Sequence, residues 1–313
     1  WSKANQAWQG LGVTSANSTI TSINCMIFDA NGDLYIGGNF NNIAGITGAN
    51  YVAKYDVATG AWSKVGSGIS HPTLTRINAI EISPEGIIFI GGEFDTAGGS
   101  TDCNFIAYFD KTANDWRPLL TGLSAGVHTL KYAPDGRLLI GGRFKDAAGT
   151  NGDYICWWDG VAFRSFTDLG ATELDRWVNT IDITSTGTIV IGGLFADAGG
   201  DQNADAIAAW RGNNWGALRA GKLSGGQTLT IVSRVYCMSN GDIYVTGNFT
   251  HAGDVAVSGI AKSVGGAWQR LDIDLPGLYY PVDGLVEASD GTLYMGGEFS
   301  TFLYSQNAIS AGA

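Results

Sequence analysis

Six times along this chain a glycine pair, or its near equivalent, is followed one residue later by phenylalanine. The copies are Gly37-Gly38-Asn39-Phe40, Gly91-Gly92-Glu93-Phe94, Gly141-Gly142-Arg143-Phe144, Gly192-Gly193-Leu194-Phe195, Thr246-Gly247-Asn248-Phe249 and Gly296-Gly297-Glu298-Phe299. Their phenylalanines stand 54, 50, 51, 54 and 50 residues apart. A single unit of that length cannot bury its own apolar faces, so successive units must stack and share a core. The period constrains architecture strongly and chemistry hardly at all.

By length alone 313 residues would make two or three domains, but six equal units can make one body. Glycine is abundant (46), proline scarce (6), and charged residues reach only 15%. Many short strands joined by glycine-rich turns fit this better than helices do. The net charge of −11, with no basic stripe, argues against a nucleic acid partner. No run reaches the roughly 18 apolar residues of a membrane-spanning helix, so no membrane insertion is expected. Cys25, Cys103, Cys156 and Cys237 lack metal-ligand spacing and read as small apolar residues rather than a disulfide framework, which leaves the redox compartment open. The chain opens on Trp1 inside a repeat, without an initiator Met or signal pattern. It is therefore expected to be a processed product or part of a longer polypeptide.

The first unit reads as four strands. Ile23–Phe28 is a short apolar run, Asn31-Gly32 a turn, and Leu34–Gly38 a second strand. A polar loop, Asn41–Asn50, leads to a third strand, Tyr51–Tyr55, and Ala61–Val65 makes a fourth. The register persists. Turn glycines 32, 86, 136, 187, 241 and 291 each precede their Phe by eight residues, and first strands open at Ile23, Ile77, Val127, Val178, Val232 and Val282. The loop between the second and third strands is expected to absorb most of the length variation. The glycine pairs suit close backbone approach, and each Phe can fill space between neighbouring sheets. A phosphate cradle is a poor alternative, since no helix follows the glycines.

The sixth unit runs out after a third strand, Asn307–Ser310, while Ala7-Trp8-Gln9-Gly10-Leu11 matches the fourth strands around Trp62, Trp116, Trp215 and Trp268. The N-terminal strand would complete the last unit and remove the open edge. The expected fold is all-β: one six-bladed β-propeller of four-stranded blades over residues 1–313. Residues 1–12 would form the outer strand of blade six, about 20–272 blades one to five, and 273–313 the inner strands of blade six.

At these residues the chain resembles kelch-type propellers, the superfamily of the galactose-oxidase central domain. Paired glycines end the second strand, and an aromatic residue precedes a Trp with six residues between, as in Tyr55 and Trp62 or Phe109 and Trp116. The fuller pattern also resembles repeats in large secreted or cell-surface bacterial proteins and phage tail proteins. It spans essentially the whole chain, with departures: Phe163 and Phe166 where Trp is expected, Thr246 for Gly, and no Ala-Gly after Phe299. The resemblance implies fold strongly and function weakly.

In a propeller the loops entering the first strands and those joining strands two and three share one face, which is the default binding surface. Residues there that break the repeat are His71, Arg176, Trp177, Tyr279 and Tyr280, and exposed Trp and Tyr suit sugar rings or protein partners. Rim packing is the rival reading. The second residue of each first strand is polar: Asn24, Asn78, His128, Asn179, Ser233 and Asp283. This ring at the channel mouth reads first as a hydrogen-bonded belt and second as a ligand or ion site. Loop carboxylates Asp146, Asp153, Asp197, Asp201, Asp205 and Asp254 follow no calcium-loop signature and read as solvated turn residues. Arginines 76, 143, 176, 211 and 234 could be imagined as a carboxylate clamp, but only Arg76 and Arg176 are expected on the loop face.

Catalytic patterns are thin. The three histidines, His71, His128 and His251, form no copper-oxidase set with Tyr and Cys, no Asp-box is present, and no Ser-His-Asp logic is readable. No metal or cofactor is expected. The leading expectation is a non-catalytic recognition or adhesion module, extracellular or on a virion surface, binding a glycan or surface protein and other chains of a larger assembly. The alternatives are a purely structural domain of such an assembly and a polysaccharide-acting enzyme.

Overall fold

The computed structural model describes residues 10–218, 221–226, 229–271, 273–274, 284–288, 292–297 and 303–304. Most of the expected N-terminal closing strand, much of 273–313, and Tyr279, Tyr280 and Asp283 lie outside the described residues. Two compact units are distinguished, Trp1–Tyr132 and Ala133–Ala313.

The first unit contains two four-stranded antiparallel sheets. One is β1 (Thr19–Phe28), β2 (Leu34–Asn41), β3 (Val52–Asp56) and β4 (Ala61–Lys64), in that order. The other is β5 (Arg76–Ile82), β6 (Ile88–Glu93), β7 (Ile106–Asp110) and β8 (Asp115–Pro118), and β9 (Val127–Tyr132) ends the unit.

The second unit opens with β10 (Leu138–Gly142), β11 (Ile155–Trp158) and β12 (Phe163–Arg164), paired antiparallel. A complete sheet follows: β13 (Val178–Ile183), β14 (Ile189–Gly193), β15 (Ile207–Trp210) and β16 (Trp215–Gly216). The next repeat supplies β17 (Leu223–Ser224), β18 (Ile231–Cys237), β19 (Ile243–Asn248), β20 (His251–Ala252), β21 (Val255–Ala256), β22 (Ile260–Val264) and β23 (Ala267–Gln269). Of these, β18-β19-β22-β23 form the sheet and β17-β20-β21 a small accessory one. Beyond them, β24 (Ile273–Asp274) pairs with β27 (Leu303–Tyr304), and β25 (Gly284–Glu287) with β26 (Leu293–Gly296).

The repeated motif has a steric cause. A Cβ on Gly91 would lie 2.4 Å from Cγ1 of Val127, which opens the next repeat, and one on Gly192 would lie 2.4 Å from Cγ1 of Val232. The first glycine therefore makes room for the neighbouring first strand. The second makes room within its own hairpin, since a Cβ on Gly92 would lie 2.2 Å from the Arg76 carbonyl oxygen. Phe40, Phe94, Phe144, Phe195 and Phe249 are all buried. Apolar clusters join successive repeats: Tyr35 and Val52 pack with Ile77 and Ile90, and Val190 and Ile207 with Val232 and Val245. Such burial stabilises by roughly 25 cal/mol per Å² of apolar surface, so the repeats hold one another rather than themselves.

The aromatic–Trp spacing is a cross-strand pair. Tyr55 faces Trp62 and Phe109 faces Trp116 in register, with ring centroids 5.1 and 5.3 Å apart. In the third repeat Trp158 faces Phe163 at 5.1 Å, so the Trp-to-Phe departure keeps an aromatic pair across the hairpin. Three tryptophans of the fourth strands also clasp the preceding repeat. Trp62 Nε1 donates to the Leu11 carbonyl at 2.7 Å, Trp116 Nε1 to Val65 at 3.1 Å, and Trp268 Nε1 to Gly221 at 2.8 Å.

One expectation is corrected. The loop between second and third strands is nearly constant in length, because both of its ends are pinned. Tyr51, Phe105, Tyr154 and Ala206, at φ of 61 to 63°, enter the third strands in the left-handed region. The amide of each donates to the carbonyl of the motif Phe, which is Phe40, Phe94, Phe144 or Phe195, and its carbonyl accepts from the second glycine of the pair. Length variation falls instead between the fourth strand and the next first strand, as Trp116–Val127 against Trp215–Val232 illustrates.

Candidate functional site

The polar position on the first strands is a β-bulge. Pairing jumps from Ile77–Gly92 to Ala79–Gly91, which leaves Asn78 with no residue opposite, and the same shift isolates Asn24, Asn179 and Ser233. A bulge re-aims the side chain it frees. Asn24 Nδ2 donates to the Ile77 carbonyl at 2.9 Å, Asn78 to Val127 at 3.0 Å and Asn179 to Val232 at 3.0 Å. Each acceptor belongs to the residue immediately before the next repeat's polar position. His128 holds the matching place in β9 and is half-buried.

Trp177 lies one residue before β13 and keeps 36% of its surface exposed. Its backbone is fixed, because its carbonyl accepts from the Leu194 amide at 2.9 Å and sits where a Cβ on Gly193 would fall. Over its ring, 4.1 Å from the centroid, lies the guanidinium carbon of Arg143. Arg143 follows β10 and precedes the fully buried Phe144, so its backbone is also anchored. The expectation that Arg143 lies off the loop face is therefore corrected. The residue after the glycine pair reaches sideways to the residue that enters the next first strand. In the first unit the same reach brings the Glu93 carboxylate against Gly126, where a Cβ would meet its oxygen at 2.3 Å.

Carboxylates fasten the loops beside Trp177. Glu173 accepts from the amides of Gly152 and Asp153 at 2.8 and 2.9 Å, and Asp175 accepts from the Ala196 amide at 2.8 Å. Three loops, β10–β11, β12–β13 and β14–β15, are thereby held together. Arg176 is half-exposed, with Nε 3.9 Å from Asp175 Oδ2. Among the described residues Arg143 has neither a carboxylate partner nor a hydrogen-bond acceptor. By contrast Arg76 faces Glu93 at 3.8 Å, Arg137 faces Asp135 at 2.6 Å and Lys145 faces Asp153 at 3.1 Å.

His71 stands in the other unit with a structural task. Its Nδ1 accepts from the amides of Thr73 and Leu74 at 3.2 and 3.3 Å, capping the turn that leads into β5. The loop aspartates likewise serve turns. Asp153 accepts from the Asp146 amide at 3.0 Å, Asp205 from Asp197 at 3.0 Å, and Asp201 from Asn203 and Ala217 at 3.0 and 2.9 Å. Hydrogen bonds from Ala217 and Asn203 hold the Asp201 carboxyl below its ordinary pKa. Among the described residues no three His, Cys, Asp or Glu side chains converge on a metal position. Burial raises the Cys103 and Cys156 thiols and keeps them out of the thiolate form. At the opposite end of β13 a shallow groove of about 210 Å³ is lined by Thr184, Thr186, Thr188, Arg211 and Gly241.

A family model, the Rax2 C-terminal beta propeller domain, matches residues 70–219. The solved structures that resemble this chain include one from the crystal structure of the mitotic checkpoint complex, with a TM-score of 0.57 and 16% identity over 95% of this chain and 77% of that one. Another is YCF48 bound to D1 peptide, with a TM-score of 0.51 and 12% identity over 91% and 79% of the two chains. The fold is a β-propeller. No curated protein matches the sequence. Identities this low carry the propeller fold alone, and among the described residues no helix is long and apolar enough to cross a membrane.

Neither Arg143 nor the ties made by Glu173 and Asp175 were recognised from the sequence as parts of a site. Their partners lie about 34 residues away or less, off the 50-residue repeat. The one available signal was that Arg143 interrupts a position otherwise held by Asn, Glu or Leu.

Proposed function

We propose that this propeller is a non-catalytic recognition module. It engages a glycan or a surface protein through the loops around Trp177, within a larger extracellular or virion-surface assembly. The observation that carries the reading is the half-covered indole of Trp177, held by backbone bonds and topped by Arg143, at a position where the repeat demands no aromatic residue. A rigid aromatic with a polar neighbour binds a flat ligand face without a large ordering cost. Display of the protein on a glycan array and against a library of surface proteins tests this. Trp177→Ala should abolish the signal, and undiminished binding by that variant removes the proposed site.

The architecture we favour is a kelch-like ring of six blades sealed by the N-terminal strand. Leu11 supports it: its carbonyl receives Trp62 Nε1 as the Val65 carbonyl receives Trp116 Nε1, so the chain near Leu11 ends as a fourth strand does. The apolar face of β1, with Ile23, Met26 and Phe28 exposed, also calls for a covering sheet.

A further inference from the structure

We infer that Arg143 and Trp177 together form a preassembled receptor for a carboxylate-bearing sugar, such as a uronic or sialic acid. The inference rests on the recognition reading above and names its ligand class. The guanidinium lies over the indole at 4.1 Å, and among the described residues it has no carboxylate or carbonyl partner. Stacking on a ring occupies the face of a guanidinium and leaves its N–H groups directed outward in plane, the arrangement that accepts a carboxylate in two parallel hydrogen bonds. The protein carries a net charge of −11, and many of its cations, among them Lys54, Arg137, Arg164 and Lys262, are matched to aspartates 2.6 to 2.8 Å away. Arg143 is a cation that the fold anchors and that no carboxylate among the described residues neutralises.

The surroundings favour a sugar over a peptide. Asp175 and Arg176 flank Trp177, and all of Arg143, Asp175, Arg176 and Trp177 are exposed. A protein interface would want a contiguous apolar centre. A single indole, capped by Arg143 and set among charged groups, suits a small polyhydroxylated ring whose carboxylate meets the guanidinium, whose apolar edge meets the exposed rim of the indole and whose hydroxyls meet Asp175 and Arg176. The aspartates nearby also discriminate against densely charged polymers, because each extra anion meets a carboxylate of like sign. Both anchors leave strand ends whose neighbours, Phe144 and Val178, are fully buried, so binding requires little ordering.

Calorimetry or NMR titration tests the inference on the whole chain. The probes are cellobiouronate, digalacturonate and 3′-sialyllactose, each beside its carboxyl-reduced twin, with an Asp- and Glu-rich tetrapeptide as the competing class. At least one acid should bind about tenfold or more tightly than its twin, the value of one charge-assisted bond pair. Arg143→Ala should remove that preference, Arg143→Lys should restore part of it, and 0.5 M NaCl should narrow it. The melting temperature of each variant serves as the control for folding. Equal binding of acid and twin, lost in Trp177→Ala, overturns the carboxylate inference and leaves the recognition reading standing. Acid preference that survives Arg143→Ala also overturns it, as does binding of the tetrapeptide alone. No binding of any sugar, acidic or neutral, overturns both the inference and the glycan form of the function.

Discussion

The side chain of Asn78 leaves its own sheet because a bulge has removed the residue from the ladder, and it satisfies a carbonyl in the next repeat instead. That one contact ties β5 to β9, the first strand of the next repeat. Asn78→Ala leaves the Val127 carbonyl without this donor in a half-buried setting. It should cost about 1 to 2 kcal/mol in guanidinium denaturation. A loss within error of zero would mean that water replaces the amide and that the belt is not structural. Asp159 offers a pH-dependent counterpart. Its carboxylate accepts from the Ala162 and Val161 amides and pairs with Arg164, which lowers its pKa from 3.8 to about 2. A depressed folded-state pKa contributes stability that is complete above the unfolded value and fades as pH falls through the folded one. Wild type and Asp159→Asn should therefore differ most above about pH 4, and the difference should shrink toward pH 2. Parallel stability profiles across that window would contradict the assignment.

At the scale of a strand, Trp116 in β8 joins two tasks. It pairs with an aromatic across its hairpin and clasps the carbonyl of the preceding repeat. Trp116→Phe keeps the ring and removes the donor in a fully buried place, so a loss of about 1 to 3 kcal/mol is expected in chemical denaturation. The bare Val65 carbonyl would be the cause, and an unchanged midpoint would assign Trp116 to packing alone. Strands, turns and the motif Phe were legible because each recurs with the period and each answers a steric need inside one repeat. Positions such as Arg143 and Trp177 were only half legible. Trp177 stands out as an aromatic intruder, whereas Arg143 acquires meaning through a neighbour that lies sideways, across the boundary between repeats. His71 carries a role that the sequence did not announce: the two amides on its Nδ1 give it a turn to cap.

For the molecule as a whole, the proposed seal by the N-terminal strand makes a sharp demand. Removing residues 1–12 takes away the Leu11 carbonyl that Trp62 holds and, on that reading, the outer strand of the sixth blade. Thermal and chemical unfolding of the truncated chain should reveal a loss well beyond the ~1 kcal/mol of a single hydrogen bond. A truncation as stable as the parent would remove the seal from the architecture. The repeat period predicts that neighbouring repeats share a core, and the apolar clusters within each unit do so. Function stayed out of sight in the sequence because the repeated positions answer to packing, while the proposed site rests on a few exposed substitutions that no period announces.

The left-handed residue at the head of each third strand has a further consequence. Tyr51, Phe105, Tyr154 and Ala206 anchor their loops through main-chain atoms alone, at the same two attachment points. Between those points three of the loops also turn two apolar side chains inward, Ile43 and Ala49, Ala97 and Cys103, or Ala198 and Ala204, and all six are buried. A segment transplanted from one repeat to another with the receiving loop's inward pair kept in place should therefore carry its surface chemistry with it while the scaffold stays as it was.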